Sequence, residues 1–277
     1  MIRKISLATD FSAEGTRAFR TALALAVFHH ARLEILHVSS PARETAWEHF
    51  PKVRDTLETW GLLPPGSQQE DVHDRLGVEV GKVEIHSEDA VSGIAGYILK
   101  HTPDLLVAAS HGRTGINWWL SGSVAIETLR MTSIPTLLLG PSARTFIDEN
   151  SGRLNLHNIL FPIASSPSPV EAARQFEALM GNIPAQVFRV HVREKNAADG
   201  QLARIFPELT TLSGDVVPSI LGATREVNAG MIAMPTAGHH GFIDAFRGSV
   251  TQRVLHEAPC PILAMPASSG STGSEAS

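Results

Sequence analysis

Two glycines separated by nine residues mark the stretch best suited to chemistry. The run Ala109-Ser110-His111-Gly112 is followed, after those nine residues, by Gly122-Ser123. An apolar run, Asp104 to Ala109, precedes the glycines and predicts a buried strand, and Val124 to Arg130 predicts a helix. Glycine lets a ligand approach the backbone, and the N–H groups at a helix start attract anions. We therefore predict an anion-binding loop in which the Ser123 hydroxyl also reaches a phosphate.

The same pattern recurs 126 residues later in the chain. Gly238 takes the place of Gly112, and Gly248-Ser249 takes the place of Gly122-Ser123. The same offset aligns four further pairs: Gly115 with Gly241, Val124 with Val250, Leu129 with Leu255, and Pro135 with Pro261. This agreement without a gap indicates an internal repeat.

Each half of the chain alternates strand and helix patterns. In the first half, apolar runs at Ile2–Ala8 and Leu33–Val38 flank a helical pattern at Ala18–Phe28. Each half predicts a doubly wound α/β domain with about five parallel strands. Ligands bind such sheets at the carboxyl ends of the strands, where Asp10, Val38 and Ala109 would converge.

The repeat offset changes within the chain and reveals an insertion. Leu36-His37-Val38 matches Val190-His191-Val192 at an offset of 154, so 28 residues of the first half are missing from the second. We assign them to a helical insertion at about 41–76, with helices over Arg43 to Trp60 and Gln69 to Leu76. The predicted domains are 1–141 and a shorter one at 157–266, with a linker at 142–156 and a disordered tail at 267–277.

Composition excludes several classes of function. The net charge of -5 gives no basic surface for nucleic acid, and no apolar run is long enough to cross a membrane. We see no signal peptide and expect a cytoplasmic location. The one cysteine, Cys260, stands between two prolines and is interpreted as a buried apolar residue rather than a reactive thiol.

Taken together, these motifs resemble the universal stress protein family, and the two units resemble its tandem members. The resemblance covers residues 1–140 and 157–266. It is carried by the glycine pattern, the SHGRTG run, the strand-one Asp10, Leu36-His37-Val38 and the closing Ile-Pro-Thr-Leu-Leu-Leu and Ala-Pro-Cys-Pro-Ile-Leu runs. It implies a Rossmann-like, adenine nucleotide alpha hydrolase-like fold.

The resemblance also implies a ligand, ATP or another adenine nucleotide with Mg²⁺. Asp10 and Val38 would face the adenosine. The ribose and phosphates would meet the loop and its helix: Ala109, Gly112, Gly122, Ser123 and Val124. Ala109 departs from the family, which has glycine there. A degenerate second site would comprise Val192, Gly238, Gly248 and Ser249, but Ala164 replaces the aspartate and Pro235 replaces the first glycine.

Other candidate sites are weaker. The adjacent pairs His29-His30 and His239-His240 make poor chelates, so we predict no metal site. Trp118-Trp119 is better explained by packing than by stacking on a base. Asp89 and Asp215 precede helices, which favours N-capping over acid–base chemistry. We identify no catalytic residues.

We therefore expect a nucleotide-responsive (ATP or AMP) binding or signalling protein of the stress response, with at most a weak ATPase activity. Two alternatives stay open. One is a slow nucleotide hydrolase or transferase, and the other is a scaffold without nucleotide that acts through partner contacts.

The last strand of each half predicts how the halves assemble. Ile134–Leu139 and Pro261–Met265 are apolar and would lie at exposed sheet edges, which invite association. The family resemblance implies pairing through these strands, so we expect the two halves to pair within one chain. A homodimer through the Trp47–Trp60 segment is a further candidate.

Overall fold

The computed structural model describes residues 2–41, 47–109, 124–165, 168–193, 200–236 and 250–266. The strands in these ranges are β1 Lys4–Ala8, β2 Arg32–Ser39, β3 Val80–His86, β4 Leu105–Ala109, β5 Thr136–Leu139, β6 Asn158–Pro162, β7 Gln186–Arg193, β8 Thr210–Ser213, β9 Met231–Thr236 and β10 Ile262–Pro266. The helices are α1 Ala13–His29, α2 Val53–Thr59, α3 Gln69–Leu76, α4 Ala90–His101, α5 Val124–Thr132, α6 Pro169–Met180, α7 Gly200–Ile205, α8 Val216–Glu226 and α9 Val250–Glu257.

All ten strands belong to one sheet. Their order is β3-β2-β1-β4-β5-β10-β9-β6-β7-β8. Neighbours within the first five strands run parallel, as do neighbours within the last five. The predicted fold, two doubly wound five-stranded parallel sheets in tandem, is confirmed.

The two halves meet at the centre of the sheet. There β5 and β10 pair antiparallel, with Leu138 opposite Ile262, Leu137 opposite Leu263 and Thr136 opposite Ala264. Thr136, Leu137, Leu138 and their partners are buried. The predicted contact between the last strands of the two halves is confirmed, and neither strand is left as an open apolar edge.

Helices cover both faces of the sheet, as the near-continuous apolar strands require. On one face, α1, the insertion and α6 enclose a single core that includes residues of both halves, such as Ile35, Leu139, Leu263 and Phe176. On the opposite face, α5, α8 and α9 cover one core and α4 covers a smaller one. The first core therefore extends across the junction between the halves.

The insertion is less helical than predicted. The prediction of one helix over Arg43 to Trp60 is wrong: the chain forms a 3₁₀ turn at Trp47–His49 and then the short helix α2, while 42–46 lie outside the described residues. Pro51 explains the break, because it lacks an N–H and disfavours helical backbone at the residue before it. The second predicted helix coincides with α3.

The segment that joins the halves, residues 140–157, packs against the insertion; we call it the connector. The indole Nε1 of Trp60, a buried side chain, donates a hydrogen bond to the Glu149 carbonyl at 3.0 Å. Gly152 has a φ of +66°, and a Cβ atom at this position would overlap the Trp60 ring. The insertion thus holds a turn of the connector in place.

The predicted domain boundaries at 141 and 157 stay predictions, and the tail at 267–277 lies outside the described residues. Within the part of the chain that the structure describes, no helix is long and apolar enough to cross a bilayer.

One histidine side chain is buried at the end of α1. His29, at the end of α1, is 6% exposed, and its Nε2 has no hydrogen-bond partner among the described residues. Burial lowers the pKa of His29 from its ordinary 6.5, and nearby positive charge, including His30, adds to the shift. The folded state therefore holds this ring neutral where the unfolded chain would already be protonated.

Replacing Gly152 by alanine should destabilise the protein more than the same change at Gly61. Both glycines have similar positive φ angles, +66° and +68°, but nothing lies within 4 Å of a Cβ at Gly61. Positive φ costs roughly 1–2 kcal/mol in either variant. Overlap with Trp60 should add about 1–3 kcal/mol at Gly152, measured as the free energy of unfolding in urea. Equal losses would show that the connector does not pack on Trp60.

Replacing His29 by leucine should flatten the loss of stability in mild acid. Because the folded pKa of His29 is below the unfolded value, the contribution of His29 to stability is complete above about pH 6.5 and is lost as the pH falls, by at most about 1.4 kcal/mol per pH unit. The leucine variant has no ionisable group at this position, so it lacks this contribution. Urea unfolding from pH 7.5 to 5 measures the difference, and parallel curves would contradict a buried neutral His29.

Candidate functional site

The carboxyl ends of β2, β1 and β4 lie side by side in the first half. The chain proceeds from β1 to β2 and β3 on one side, and from β4 to β5 on the other. Neighbouring strands that lead in opposite directions leave a crevice between their carboxyl ends. The candidate site is therefore the end of the β1–β4 pair, where Ala8 lies opposite Ala108.

Four of the predicted site residues lie at this edge. Asp10 follows β1, Val38 is near the end of β2, Ala109 ends β4 and Val124 begins α5, and all four side chains are partly exposed. The other three predicted residues lie outside the described residues: Gly112, Gly122 and Ser123.

Three of these side chains are divided between the two faces of the sheet. Val38 and Val124 both pack against the small core under α4. Ala109 packs against the core on the α1 face, because successive residues of a strand point to opposite faces. The methyl group that Ala109 adds in place of the expected glycine thus faces away from Val38 and Val124.

Asp10 is fixed by a turn that also starts α1. Its Oδ1 accepts hydrogen bonds from the Ser12 backbone N–H at 3.0 Å and from Ser12 Oγ at 2.5 Å. Ser12 Oγ in turn accepts from the Gly15 N–H at 3.0 Å, so Ser12 is the N-cap of α1. Phe11, between them, has a left-handed φ of 62°. The carboxylate therefore lies at the electropositive end of a 17-residue helix.

Gly15 is a site-forming residue that the sequence analysis missed. A Cβ atom here would lie 2.9 Å from Thr9 Oγ1 and 3.1 Å from Asp10 Oδ1. The first turn of α1 thus approaches the Asp10 turn too closely for a side chain. The available signal was a glycine three residues after a serine N-cap.

His37 and His191 have a structural role. His37 Nδ1 lies 2.9 Å from the Thr9 carbonyl, and His191 Nδ1 lies 2.8 Å from the Ile163 carbonyl, with the same separation of 28 residues. A carbonyl only accepts, so Nδ1 carries the proton in each ring. The recurrence of this histidine, noticed in the sequence, thus has a physical reason: it ties the chain after the first strand to the second strand.

The insertion supplies an aromatic cluster beside the site. The Phe11 ring stacks on His37 with centroids 4.0 Å apart and meets Phe50 edge-on at 5.1 Å. Trp47 stacks on Phe50 at 5.1 Å and is 54% exposed. Phe11, the residue directly after Asp10, is therefore supported from the insertion, a contact that the sequence analysis did not predict.

The second half offers a poorer site. Val192 lies on β7, but Gly238, Gly248 and Ser249 lie outside the described residues. Between β6 and β9 the ladder has two residue pairs, against four between β1 and β4. Pro235 lies beyond the β6 pairing and lacks an N–H. The switch point of this half thus has neither the acidic side chain nor the full ladder.

The remaining candidates have ordinary structural roles where the structure describes them. Asp89 caps α4 by accepting from the Ser92 N–H at 2.8 Å, and hydrogen bonding from the Ser92 side chain and then from its backbone lowers the pKa of Asp89. Asp215 occupies the N-cap of α8 without a side-chain cap bond. Cys260 is buried, and burial raises the pKa of its thiol to about 12, which suppresses nucleophilicity at neutral pH. Trp118-Trp119 and His239-His240 lie outside the described residues.

Within the described ranges, no group of three or more His, Cys, Asp or Glu side chains could hold a metal ion. Any Mg²⁺ would therefore need a ligand's phosphates or the loop itself for most of its coordination.

Comparison with known proteins shows which family this sequence matches. The model of the universal stress protein family matches residues 1–140 and 199–266. No curated protein matches the sequence.

Two solved structures share the fold of this chain at low sequence identity, and a third is similar to one half of the chain. A universal stress protein from Archaeoglobus fulgidus is similar over 95% of this chain and 96% of its own, with 16% identity and a TM-score of 0.68. A putative universal stress protein from Pseudomonas aeruginosa is similar over 96% of this chain and 93% of its own, with 13% identity and a TM-score of 0.66. A universal stress protein in complex with cAMP is similar over 50% of this chain and 95% of its own, with 18% identity and a TM-score of 0.38.

Replacing Gly15 by alanine should destabilise the protein, whereas the same change at Gly96 should stabilise it. Gly96 lies inside α4 with nothing within 4 Å of an added Cβ, so alanine should gain about 0.5–1 kcal/mol there. At Gly15 the methyl would force Thr9 Oγ1 to shift and would crowd Asp10 Oδ1, which should cost about 1–3 kcal/mol and outweigh the same gain in helix propensity. Urea unfolding measures both, and a gain at Gly15 would show that the Asp10 turn does not approach α1 closely.

Proposed function

Because this chain belongs to the universal stress protein family, we propose that it is a nucleotide-responsive binding protein whose first half holds an adenine nucleotide. The proposal places ATP or a related nucleotide, with Mg²⁺, at the crevice between β1 and β4, in a cytoplasmic protein of the stress response. The chain acts by binding and signalling, and any hydrolysis is slow.

The observation that carries the proposal is the position of Asp10. Its carboxylate lies at the β1–β4 switch point, oriented by two hydrogen bonds from Ser12. The following residue, Phe11, has an unusual φ of 62°, and such backbone is concentrated at binding sites. A carboxylate fixed in this way is prepared to accept hydrogen bonds from the hydroxyl or amino groups of a nucleoside.

The start of α5 supports the placement of the phosphates. Val124 begins this helix and packs on the same face as Val38, beside the predicted loop. The N–H groups at a helix start favour an anion. Base and phosphates would thus lie along one face of the crevice, from the end of β2 to the start of α5.

A different role for the second half is favoured by its own residues. Ala164 stands in the position of Asp10, and Pro235 in the position of Ala109. We propose that this half acts as the structural partner of the first, through the β5–β10 pairing, and not as a second nucleotide site.

Replacing Asp10 by alanine should weaken ATP binding by about 1–3 kcal/mol, which is roughly 5- to 150-fold, because a buried hydrogen bond to the ligand is lost. Isothermal titration calorimetry with Mg-ATP and with AMP measures the affinity. The same change also removes support from the α1 cap, so stability must be followed in parallel.

Ser12→Ala is the matched control. It removes the N-cap, worth about 0.5–2 kcal/mol of stability, and one of the two hydrogen bonds that orient Asp10, but it keeps the carboxylate itself and its hydrogen bond from the backbone N–H of residue 12. We expect Ser12→Ala to lower stability while retaining most of the affinity. If both variants bind as the wild type does, Asp10 is not a ligand contact. If the wild type binds no nucleotide, the proposed function is wrong.

A further inference from the structure

The two outer strands of the ten-stranded sheet differ in length. One edge is β8, which has four residues, and the other is β3, which has seven. An unpaired edge presents a row of N–H and C=O groups to any other strand, and proteins commonly keep such strands short for this reason. Strand β8 follows that rule, whereas β3 leaves a long edge that another strand could extend.

The ladder with β2 shows which backbone groups of β3 face outward. The Leu33 N–H donates to the Glu79 carbonyl at 2.8 Å, and the Ser87 N–H donates to the Ser39 carbonyl at 3.0 Å. Alternate residues of a strand bond to the same neighbour, so the odd-numbered residues of β3 face β2. The N–H and C=O groups that point away from the sheet belong to Val80, Lys82, Glu84 and His86. Within the part of the chain that the structure describes, these groups have no hydrogen-bond partner.

Two oppositely charged side chains stand two residues apart on this edge, and therefore on the same face of the sheet. Lys82 is exposed and has no carboxylate within ion-pair distance among the described residues. The Glu84 side chain is 9% exposed, and its Oε1 accepts a hydrogen bond from Ser39 Oγ at 2.6 Å. The edge thus combines a fixed carboxylate with a long, flexible cation that can reach across to another chain.

One antiparallel register between β3 and the β3 strand of a second copy satisfies the whole edge. A two-fold axis at Val83 sets Lys82 opposite the partner's Glu84, and Val80 opposite the partner's His86. Each outward residue then exchanges two hydrogen bonds with the residue opposite to it. The same axis forms the lysine–glutamate pair twice, on one face of the joined sheets, and such cross-strand pairs of opposite charge stabilise a ladder.

Charge disfavours the neighbouring two-fold registers. An axis at Lys82 sets two lysines opposite each other, and an axis at Glu84 sets two carboxylates opposite each other. Each of these shifts also leaves one end of β3 beyond the ladder. A lysine on an edge usually discourages pairing with other strands. Here the carboxylate two residues further on lets the edge accept a second copy of itself, in the register centred on Val83.

An exposed indole lies close to the same edge. Trp47 stacks on Phe50 with ring centroids 5.1 Å apart, and the Lys82 ammonium lies 5.9 Å from the Phe50 centroid. Phe50 and Trp60 are buried, but Trp47 is 54% exposed. Tryptophan is enriched in protein interfaces, where its large ring is removed from water. The homodimer expected through the Trp47–Trp60 segment thus has an exposed aromatic side chain to offer, and this side chain lies near β3.

We propose that β3 is a homodimer interface, in which two copies of this chain pair antiparallel about an axis at Val83. Lys82 of each copy binds the partner's Glu84, and Trp47 adds apolar area beside the ladder. One strand per copy makes a small interface, so the dimer is reversible and depends on protein concentration. This pairing is independent of the proposed nucleotide site.

Sedimentation equilibrium of the full chain at several concentrations measures the association, and we expect a reversible monomer–dimer equilibrium for the wild type. Lys82→Glu sets two carboxylates opposite each other, and Glu84→Lys sets two cations opposite each other. Each variant should therefore dimerise at least about tenfold more weakly. An equimolar mixture of the two variants again places opposite charges across the ladder, so it should form a heterodimer about as strong as the wild-type dimer.

Arg174→Glu is the matched control, because it makes the same change of charge at an exposed cation of α6 in the second half; it should dimerise as the wild type does. Lys82→Pro removes an outward N–H but leaves the ladder with β2 intact, so it should abolish the dimer and keep the fold. Urea unfolding of each variant checks the fold. If Glu84→Lys fails to fold because it loses the bond from Ser39, Lys82→Glu and Lys82→Pro carry the test.

Three results would overturn the proposal. The first is a wild type that stays monomeric at every concentration, which would leave the edge to another occupant. The second is a Lys82→Glu or Lys82→Pro variant that dimerises as the wild type does, which would place the dimer contact on another surface. The third is a pair of folded charge variants that do not associate when they are mixed.

Discussion

The antiparallel pairing of β5 with β10 is the constraint on which the rest of the molecule depends. Each is the last strand of its half, and each has apolar side chains on both faces, so alone it would form an exposed edge. Pairing them makes one ten-stranded sheet and allows a continuous core on the α1 and α6 face. It also fixes the orientation of the halves, since an antiparallel ladder relates them by a rotation of about half a turn.

Much of the fold was predictable because repetition and apolar runs are local signals. The alternation of strands and helices in each half followed from apolar runs and from the repeat, whereas the pairing of the last strands was implied by the family resemblance together with their apolar sequences, and the order of the strands was not predicted. The long helix through Pro51 was the exception, because apolar spacing was given more weight than a residue that interrupts helical hydrogen bonding. Pro51 itself indicated the break, but the helical spacing of apolar residues on either side favoured one continuous helix.

The site was only partly predictable, for a different reason. Asp10, Val38, Ala109 and Val124 reach one sheet edge because strand ends must converge there. The need for Gly15 beside Asp10, and the support of Phe11 by Phe50, depend on distances between segments that no local pattern encodes. The face on which Ala109 lies likewise became clear only from packing.

The connector has a consequence for how the molecule responds to dilution. It lies against the insertion through Trp60 and against α1, where Arg17 donates to the Ala143 carbonyl at 3.1 Å. The two central strands are thus held at a high effective concentration relative to each other, and their pairing is a unimolecular event. In an assembly of two separate single-domain chains the same pairing would follow mass action and weaken as the protein becomes scarce. The covalent link therefore keeps the central pairing intact at any cellular abundance. It also means that the two paired domains need not be identical, as two copies of one single-domain chain are, so each half can lose or keep residues independently.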